Sequence, residues 1–226
     1  MSLDQAVRYS EILLAVAYVL QSLEFLRGHK PEKYVGLLRL ILSLLLLSGI
    51  APLPVETGLL LIAGWLLYRF QGPYNGGSDA MSILVLLCLW LSHLTPSLFW
   101  RELVLGYLAF QVTFSYFQAG YIKVINADWR NGQALRDVFV FTAYPVSESV
   151  RRWGSAPRLL WAMGWAVMLF ELLFPLALLN KSLLVIALFI AFLFHLANAC
   201  LFGLNRFLWI WPAAYPILFW FQARIF

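Results

Sequence analysis

Ionisable side chains stand inside long apolar stretches of this chain, where a charge is costly and therefore marks a candidate for chemistry. Lys123 lies near the end of one such stretch, and Tyr116 and Gly120 precede it on the same helical face. A lysine enclosed by apolar side chains can act as a base near neutral pH. The alternative is that the Lys123 ammonium extends along its stem to the lipid headgroups.

Glu171 stands in the middle of a second apolar stretch, shortly before Pro175. A carboxylate in lipid must be protonated, hydrogen-bonded or paired with a cation. Pro175 has no backbone N–H to offer to the carbonyl of Glu171, which leaves a local polar gap in the helix. We expect an intramembrane partner, with Lys123 and Arg39 as the candidates. The alternative is that Glu171 is only a tie between two helices.

His195 and Asn198 lie at i and i+3 in a third apolar stretch and so share a helical face. The histidine fits either a catalytic role or a packing hydrogen bond. A metal site is not expected, because no two of the histidines, which are His29, His93 and His195, have the spacing of metal ligands.

Positioning these side chains requires helices that cross a membrane. Of the 226 residues, 62% are hydrophobic and 12% are charged, against about half and about a quarter in soluble domains. A helix needs roughly 20 apolar residues to cross the hydrocarbon. The predicted spans are residues 10–26, 34–50, 55–70, 80–94, 102–124, 159–179, 182–202 and 207–221. The sequence therefore predicts an all-α, polytopic integral membrane helix bundle with about eight transmembrane helices, forming a single transmembrane domain over residues 1–226.

The long connection, residues 125–158, carries most of the remaining charge. Its segment 132–144 has the spacing of an amphipathic helix, which we expect to lie in the membrane interface. The predicted apolar side holds Leu135, Val138, Phe139 and Thr142, with Arg136 and Asp137 turned away from it.

The loop charges predict the orientation of the chain. With the first loop in the cytoplasm, cytoplasmic loops hold ten basic residues and the other side holds four. The ten are Arg27, Lys30, Lys33, Arg69, Arg130, Arg136, Arg151, Arg152, Arg158 and Arg206, and the four are Arg8, Arg101, Lys181 and Arg224. This follows the positive-inside rule and places both termini outside. It also accounts for the net charge of +5, so nucleic acid is not an expected partner.

Three sets of residues, taken in order, resemble a known family. Residues 116–123 read Tyr-Phe-Gln-Ala-Gly-Tyr-Ile-Lys, and Ala-Asp-Trp follows at 127–129. Residues 171–175 read Glu-Leu-Leu-Phe-Pro, and residues 194–198 read Phe-His-Leu-Ala-Asn. Together, over residues 78–226, they resemble the HTTM membrane domain that vitamin K-dependent gamma-carboxylases share with many bacterial relatives.

The resemblance implies a pocket among the fifth to seventh spans for a lipophilic molecule, with a quinone or quinol as the expected cofactor. Lys123 matches the lysine regarded as the base that starts vitamin K hydroquinone oxygenation. The expected catalytic residues are Lys123, Glu171 and His195, and the expected ligand-binding residues are Tyr116, Asn198 and Trp129. The carboxylases continue into a large extramembrane region that helps to bind the protein substrate. Because this chain ends at Phe226, carboxylation of peptide glutamates is not expected of it alone.

Two functions stay open at this point. The first is a small membrane enzyme or lipophile-binding protein, with Lys123 as a base. The second is a non-catalytic subunit of a larger membrane protein complex, in which the polar residues are ties between helices. In either case the lipid bilayer surrounds the chain, and we expect a bacterial inner membrane, cytoplasmic or intracytoplasmic.

Overall fold

All regular structure in the described residues is helical. The computed structural model describes residues 1–70, 76–142 and 147–226. The helices are α1 (Leu3–Phe25), α2 (Glu32–Ser48), α3 (Pro52–Arg69), α4 (Gly77–Leu94), α5 (Leu98–Ile125), α6 (Ala127–Arg130), α7 (Gln133–Phe141), α8 (Glu148–Arg151), α9 (Pro157–Leu173), α10 (Lys181–Phe202), α11 (Asn205–Ile210) and α12 (Tyr215–Ile225). Short 3₁₀ segments cover Arg152–Ser155, Phe174–Leu179 and Trp211–Ala214. The predicted all-α class is confirmed.

Four helices among the described residues are long and apolar enough to cross a membrane. They are Leu3–Phe25, Gly77–Leu94, Pro157–Leu179 and Lys181–Phe202. Each coincides with a predicted span, so the prediction of a membrane protein is confirmed. The number of eight crossings stays a prediction.

The other four predicted spans are helical as well, but three of them depart from a simple apolar crossing. Helix α2 has only 17 residues. Helix α5 has 28 residues and carries Gln111, Gln118 and Lys123, which lower its mean hydropathy. The last predicted span is divided between α11, a 3₁₀ segment and α12, because Pro212 and Pro216 each remove a backbone donor.

The chain divides into two compact units, and the boundary lies within α5. The first unit comprises Met1–Ala109 and Trp209–Ile225. Helix α1 is its centre and contacts α2, α4 and α12. Alanines and other small side chains on α1 are fully buried, which lets neighbouring helices approach closely. Ser2 begins α1 with a capping box, in which the Ser2 side chain and the Gln5 side chain each accept a backbone N–H.

The second unit comprises Phe110–Leu208 together with Phe226. Here α7 packs against α9 and the 3₁₀ segment Arg152–Ser155. Gly132 begins α7 at φ +86° and lies against the backbone of Trp161, a position that a larger residue would fill with strain. The turn into α7 is therefore held directly on α9.

Helix α7 corresponds to the amphipathic segment that the sequence predicts over residues 132–144. Leu135 and Phe139 are buried in a cluster with Leu160 and Phe202. Val138, which we expected on the same side, is exposed. Residue 144 lies outside the described residues. The placement of residues 125–158 in the membrane interface stays a prediction.

Large apolar side chains cover the outside of α10. Phe189, for example, is 62% exposed. The others include Leu183, Val185, Ile186, Ile190, Phe192 and Leu193. Water-soluble proteins rarely expose such a continuous apolar face, whereas lipid tails accept it without cost.

Candidate functional site

An ion pair in the second unit joins α5 to α9. The Lys123 ammonium donates hydrogen bonds to both carboxylate oxygens of Glu171, at Nζ–Oε distances of 2.8 Å and 2.6 Å. The Glu171 side chain is 4% exposed and the Lys123 side chain is 19% exposed. Of the two partners that the sequence suggested for Glu171, Lys123 is the observed one. Arg39 lies in the first unit and donates to Gln21 instead.

Pro175 shapes the helix around Glu171 in the way its chemistry predicts. The α-helical pattern of α9 ends at Leu173, and the chain continues as a 3₁₀ segment from Phe174. Proline cannot donate to the carbonyl four residues earlier. The polar end of α9 therefore lies beside the buried carboxylate.

Gly120 permits the close approach of α5 to α9 at this point. A Cβ atom on Gly120 would lie 2.5 Å from the backbone nitrogen of Leu172 and 3.0 Å from Glu171. No side chain fits at that distance unless one helix moves. The glycine thus brings the α5 backbone against α9 one turn before Lys123, which helps to set the position of the ion pair.

Trp129 lies on the other side of the Lys123 ammonium. The Nζ atom is 5.4 Å from the centroid of the Trp129 ring, within the range of a cation–π interaction. Trp129 stands on α6, where the Asn126 side chain caps the helix start by accepting the backbone N–H of Asp128. The indole N–H of Trp165 donates to the carbonyl of Arg130 and ties α6 to α9. These contacts hold the ring where it can meet the cation.

A second buried polar pair joins α5 to α10. The Tyr116 hydroxyl is hydrogen-bonded to Nε2 of His195 at 2.8 Å, and both residues are buried. The Tyr116 ring stacks on Phe174 with a centroid distance of 4.2 Å. The His195 ring stacks on Phe207 at 6.2 Å. Aromatic rings therefore enclose this pair on several sides.

Asn198 is separate from both pairs. It lies one turn after His195 on α10 and is partly exposed. Within the described part of the chain, its side chain makes no hydrogen bond to Tyr116, His195 or Lys123. Among the six predicted site residues, the structure thus connects Lys123 with Glu171 and Trp129, and Tyr116 with His195, and leaves Asn198 apart.

An apolar groove of about 430 Å³ lies between α9 and α10. Its walls include Phe170 and Phe174, and both rings also contact the ring of Tyr116. The groove is lined by aliphatic and aromatic side chains throughout, so it suits a hydrocarbon chain and offers nothing to a polar ligand. The remaining lining residues are Ala166, Leu169, Leu173, Leu176, Ala177, Leu183, Ile186, Ala187 and Ile190.

A polar cluster in the first unit was not predicted from the sequence. Glu11, Glu56 and His93 come from α1, α3 and α4, and one ligand atom of each lies within 4.8 Å of those of the others. Histidine spacing cannot reveal this group, because it contains one histidine and its members are far apart in the chain. The available signal was the presence of Glu11 and Glu56 inside apolar stretches.

A family model agrees with the resemblance that these residues suggest. The model for the HTTM domain matches residues 97–222, more than half of the chain, and this range includes Lys123, Glu171 and His195. No curated protein and no solved structure matches the chain. With the family match and the apolar helices described above, this chain is a membrane protein that belongs to the HTTM domain family.

Proposed function

We propose that this chain binds a lipophilic, quinone-like small molecule within the membrane and that Lys123 accepts a proton from it. The observation that carries the proposal is the ion pair between Lys123 and Glu171, set among apolar helices and beneath the ring of Trp129. Such a pair is costly in lipid and weak as a stabilising device. A role in proton transfer would explain why the ion pair is present.

The two carboxylate contacts suggest how a proton would move. A lysine that is already an ammonium can accept a proton only if it gives one away, and both short contacts of Nζ lead to Glu171. We infer a relay in which the ligand hydroxyl donates its proton to Nζ while Nζ donates one to the Glu171 carboxylate. The products are a ligand oxyanion, an ammonium and a neutral carboxylic acid. One ion pair replaces another, so no uncompensated charge is created in the low-dielectric interior.

The other predicted residues have supporting roles in this proposal. The more exposed Lys123 meets the ligand, and the nearly enclosed Glu171 receives the proton. The groove between α9 and α10 accepts a hydrocarbon tail. Tyr116 and His195 form one wall behind Phe170 and Phe174. Trp129 covers the cation, and Asn198 would contact the ligand from α10.

Replacing both members of the ion pair tests the proposal without leaving a buried charge unpaired. The double variant Lys123→Met/Glu171→Met exchanges two charged side chains for apolar ones of similar length, and such exchanges are often neutral or stabilising. We expect this variant to fold and to lose retention of a ubiquinol or menaquinol analogue in nanodiscs by at least about tenfold, the equivalent of one charge-assisted contact. A matched control is Arg151→Met/Glu148→Met, which removes an ion pair near the surface.

Two results would contradict the proposal. In one, the folded double variant retains the quinol analogue as well as the wild type does. In the other, neither protein retains it above the level of empty nanodiscs. In either case the ion pair is only a tie between α5 and α9.

A second function, as a non-catalytic subunit of a membrane complex, is favoured by α3. Leu61 and Tyr68 on this helix are 72% and 82% exposed. Gly64 lies between them on the same face, and a Cβ there would meet open space. A small residue flanked by large ones lets another helix approach closely in lipid. We infer that this face of α3 could dock on a transmembrane helix of a partner protein.

Gly64→Leu tests this second function. We expect it to release the chain from any large complex seen by native gel electrophoresis after mild extraction, because the side chain would hold the partner helix away. Ala197→Leu, at an exposed small residue of α10, is the matched control. If the wild type migrates alone, or if both variants stay in the complex, the docking face is not on α3.

The finer topology belongs to the same proposal. We infer eight crossings of a bacterial cytoplasmic or intracytoplasmic membrane, with both termini on the side opposite the ten basic loop residues. Reporter fusions after each helix would measure this directly. A reporter at residue 30 and one at residue 226 that are active on the same side would contradict it.

A further inference from the structure

The first unit contains an unbalanced set of charged groups at one end of its helices. Glu11 lies in α1, Glu56 near the start of α3, and His93 at the end of α4. Nε2 of His93 is 2.6 Å from Oε1 of Glu11 and 4.0 Å from Oε1 of Glu56. Three helices that are distant in sequence thus bring two carboxylates and an imidazole together.

Arg8 balances only one of the two carboxylates. Its Nη1 atom donates to Oε2 of Glu11 at 2.8 Å and to the carbonyl of Leu46 at 2.9 Å. Its Nη2 atom donates to the carbonyl of Leu47 at 2.6 Å. The guanidinium is therefore committed to Glu11 and to the end of α2. It leaves Oε1 of Glu11, which faces His93, for another cation.

Glu56 has no hydrogen-bond partner among the described residues, and its nearest cationic group is His93 at 4.0 Å. Its side chain is 0% exposed, and both of its carboxylate oxygens are buried without a hydrogen bond. Buried polar atoms are nearly always satisfied, and each exception calls for an explanation. Because Oε1 of Glu56 points towards His93 and Glu11, a ligand between these three residues would satisfy it.

We propose that Glu11, Glu56 and His93 bind a divalent transition-metal ion. Carboxylate oxygens and an imidazole nitrogen are ligands that Zn²⁺ and Mn²⁺ accept. The ion would displace the proton between His93 and Glu11 and bring Glu56 into its coordination sphere. Three protein ligands leave at least one position for water or another small ligand. His93, whose side chain is 22% exposed, provides the side from which the ion enters.

The charges agree with a divalent ion. Arg8 and the two carboxylates sum to one negative charge when His93 is neutral, as a ligand must be. A divalent cation changes this sum to a single positive charge, which a bound hydroxide or other anion would neutralise. A second proton would satisfy only one of the unpartnered oxygens of Glu56, whereas a metal ion links all three side chains.

The test uses the full chain in nanodiscs, with any affinity tag removed because a polyhistidine tag itself binds zinc. Zn²⁺ binding is measured by isothermal titration calorimetry and by metal analysis after dialysis. We expect about one ion per chain. Glu56→Gln and His93→Gln should each weaken binding by more than the roughly 10- to 100-fold that loss of an outer-shell partner costs. His29→Gln and Glu148→Gln, which change exposed residues outside the cluster, should bind as the wild type does.

X-ray absorption of the wild-type zinc complex makes the test independent of how the variants fold. We expect only nitrogen and oxygen at about 2.0–2.2 Å, with the scattering pattern of one imidazole. Sulfur at about 2.3 Å would place the ion at Cys88 or Cys200 and overturn the proposal. Absence of saturable binding would also overturn it, as would equal binding by Glu56→Gln and the wild type.

Discussion

The two units of this chain bury charged groups in different ways. In the second unit, one ammonium meets one carboxylate in Lys123 and Glu171. In the first unit, the Arg8 guanidinium pairs with Glu11 alone, and Glu56 is left without a hydrogen bond among the described residues. The first arrangement is complete without a ligand, and the second is not.

This difference decides what each set of residues can do. A matched pair can pass a proton to or from a neighbouring molecule and still keep its charges balanced. An unpaired carboxylate beside a histidine has oxygen atoms without a hydrogen bond, and these atoms can coordinate a cation. Substitutions that remove a single charge should therefore have opposite effects on stability in the two units.

The largest effect is expected when the matched pair is broken on one side. Lys123→Met leaves the Glu171 carboxylate buried without its cation, and breaking a buried pair in this way costs about 3–5 kcal/mol. The free energy of unfolding, measured by titration with sodium dodecyl sulfate in mixed micelles, checks this. The double variant Lys123→Met/Glu171→Met should recover most of the loss. Equal destabilisation by the single and the double variant would contradict the pairing.

A somewhat smaller loss is expected from Gly120→Ala. The new methyl group would lie 2.5 Å from the Leu172 backbone nitrogen, so α5 and α9 must separate. Overpacking of this kind costs roughly 3 kcal/mol at its upper range, and backbone atoms yield less than side chains. The matched control is Gly64→Ala, which has open space and should stabilise its helix by up to about 1 kcal/mol. The same titration measures both, and a neutral Gly120→Ala would contradict the close contact.

Glu56→Leu should act in the opposite direction to Lys123→Met. In the presence of a chelator it removes an unsatisfied buried carboxylate and leaves a side chain of similar volume. We expect the unfolding free energy to rise by roughly 2 kcal/mol, the typical penalty of such a group. With saturating Zn²⁺ the wild type should have the larger unfolding free energy of the two proteins, because only the wild type gains stability from the ion. Destabilisation of the metal-free protein by Glu56→Leu would show that the carboxylate has a partner.

The sequence predicts well where individual helices lie along the chain, but it predicts poorly which helices pack against each other. Apolar length located α4, α10, and α9 together with the 3₁₀ segment that follows it, to within a few residues, since each of these runs is nearly continuous. Charge alone limited the partner of Glu171 to Lys123 or Arg39, because few cations were available in the spans, and only the structure distinguishes the two. Periodicity gives the face of one helix but not the helix that it meets. For this reason the contact between Tyr116 and His195 was not foreseen.

Two differences between the structure and the sequence-based predictions have the same origin, namely the packing between helices. The cluster of Glu11, Glu56 and His93 depends on how three separate helices pack, which no local spacing records. Val138 is exposed because α7 packs through Leu135 and Phe139, and an apolar side chain beside that contact is tolerated without burial. The motifs that carry the family resemblance all lie at residues 116–198, within the second unit, so they gave no indication of the cluster in the first unit.

The smallest effect is expected from two matched tyrosine substitutions, one in each unit. Tyr116→Phe and Tyr18→Phe both keep a buried ring and remove one hydroxyl. The Tyr116 hydroxyl is 2.8 Å from Nε2 of His195, whereas the Tyr18 hydroxyl donates to the Ser82 carbonyl at 3.2 Å. A buried hydrogen bond contributes about 1 kcal/mol, so Tyr116→Phe should lose that amount and Tyr18→Phe less. If the second unit binds the quinol analogue, only Tyr116→Phe should also weaken its retention in nanodiscs. An equal loss of retention in both variants would mean that the effect reports general loosening of the bundle and that Tyr116 has no particular connection with the ligand.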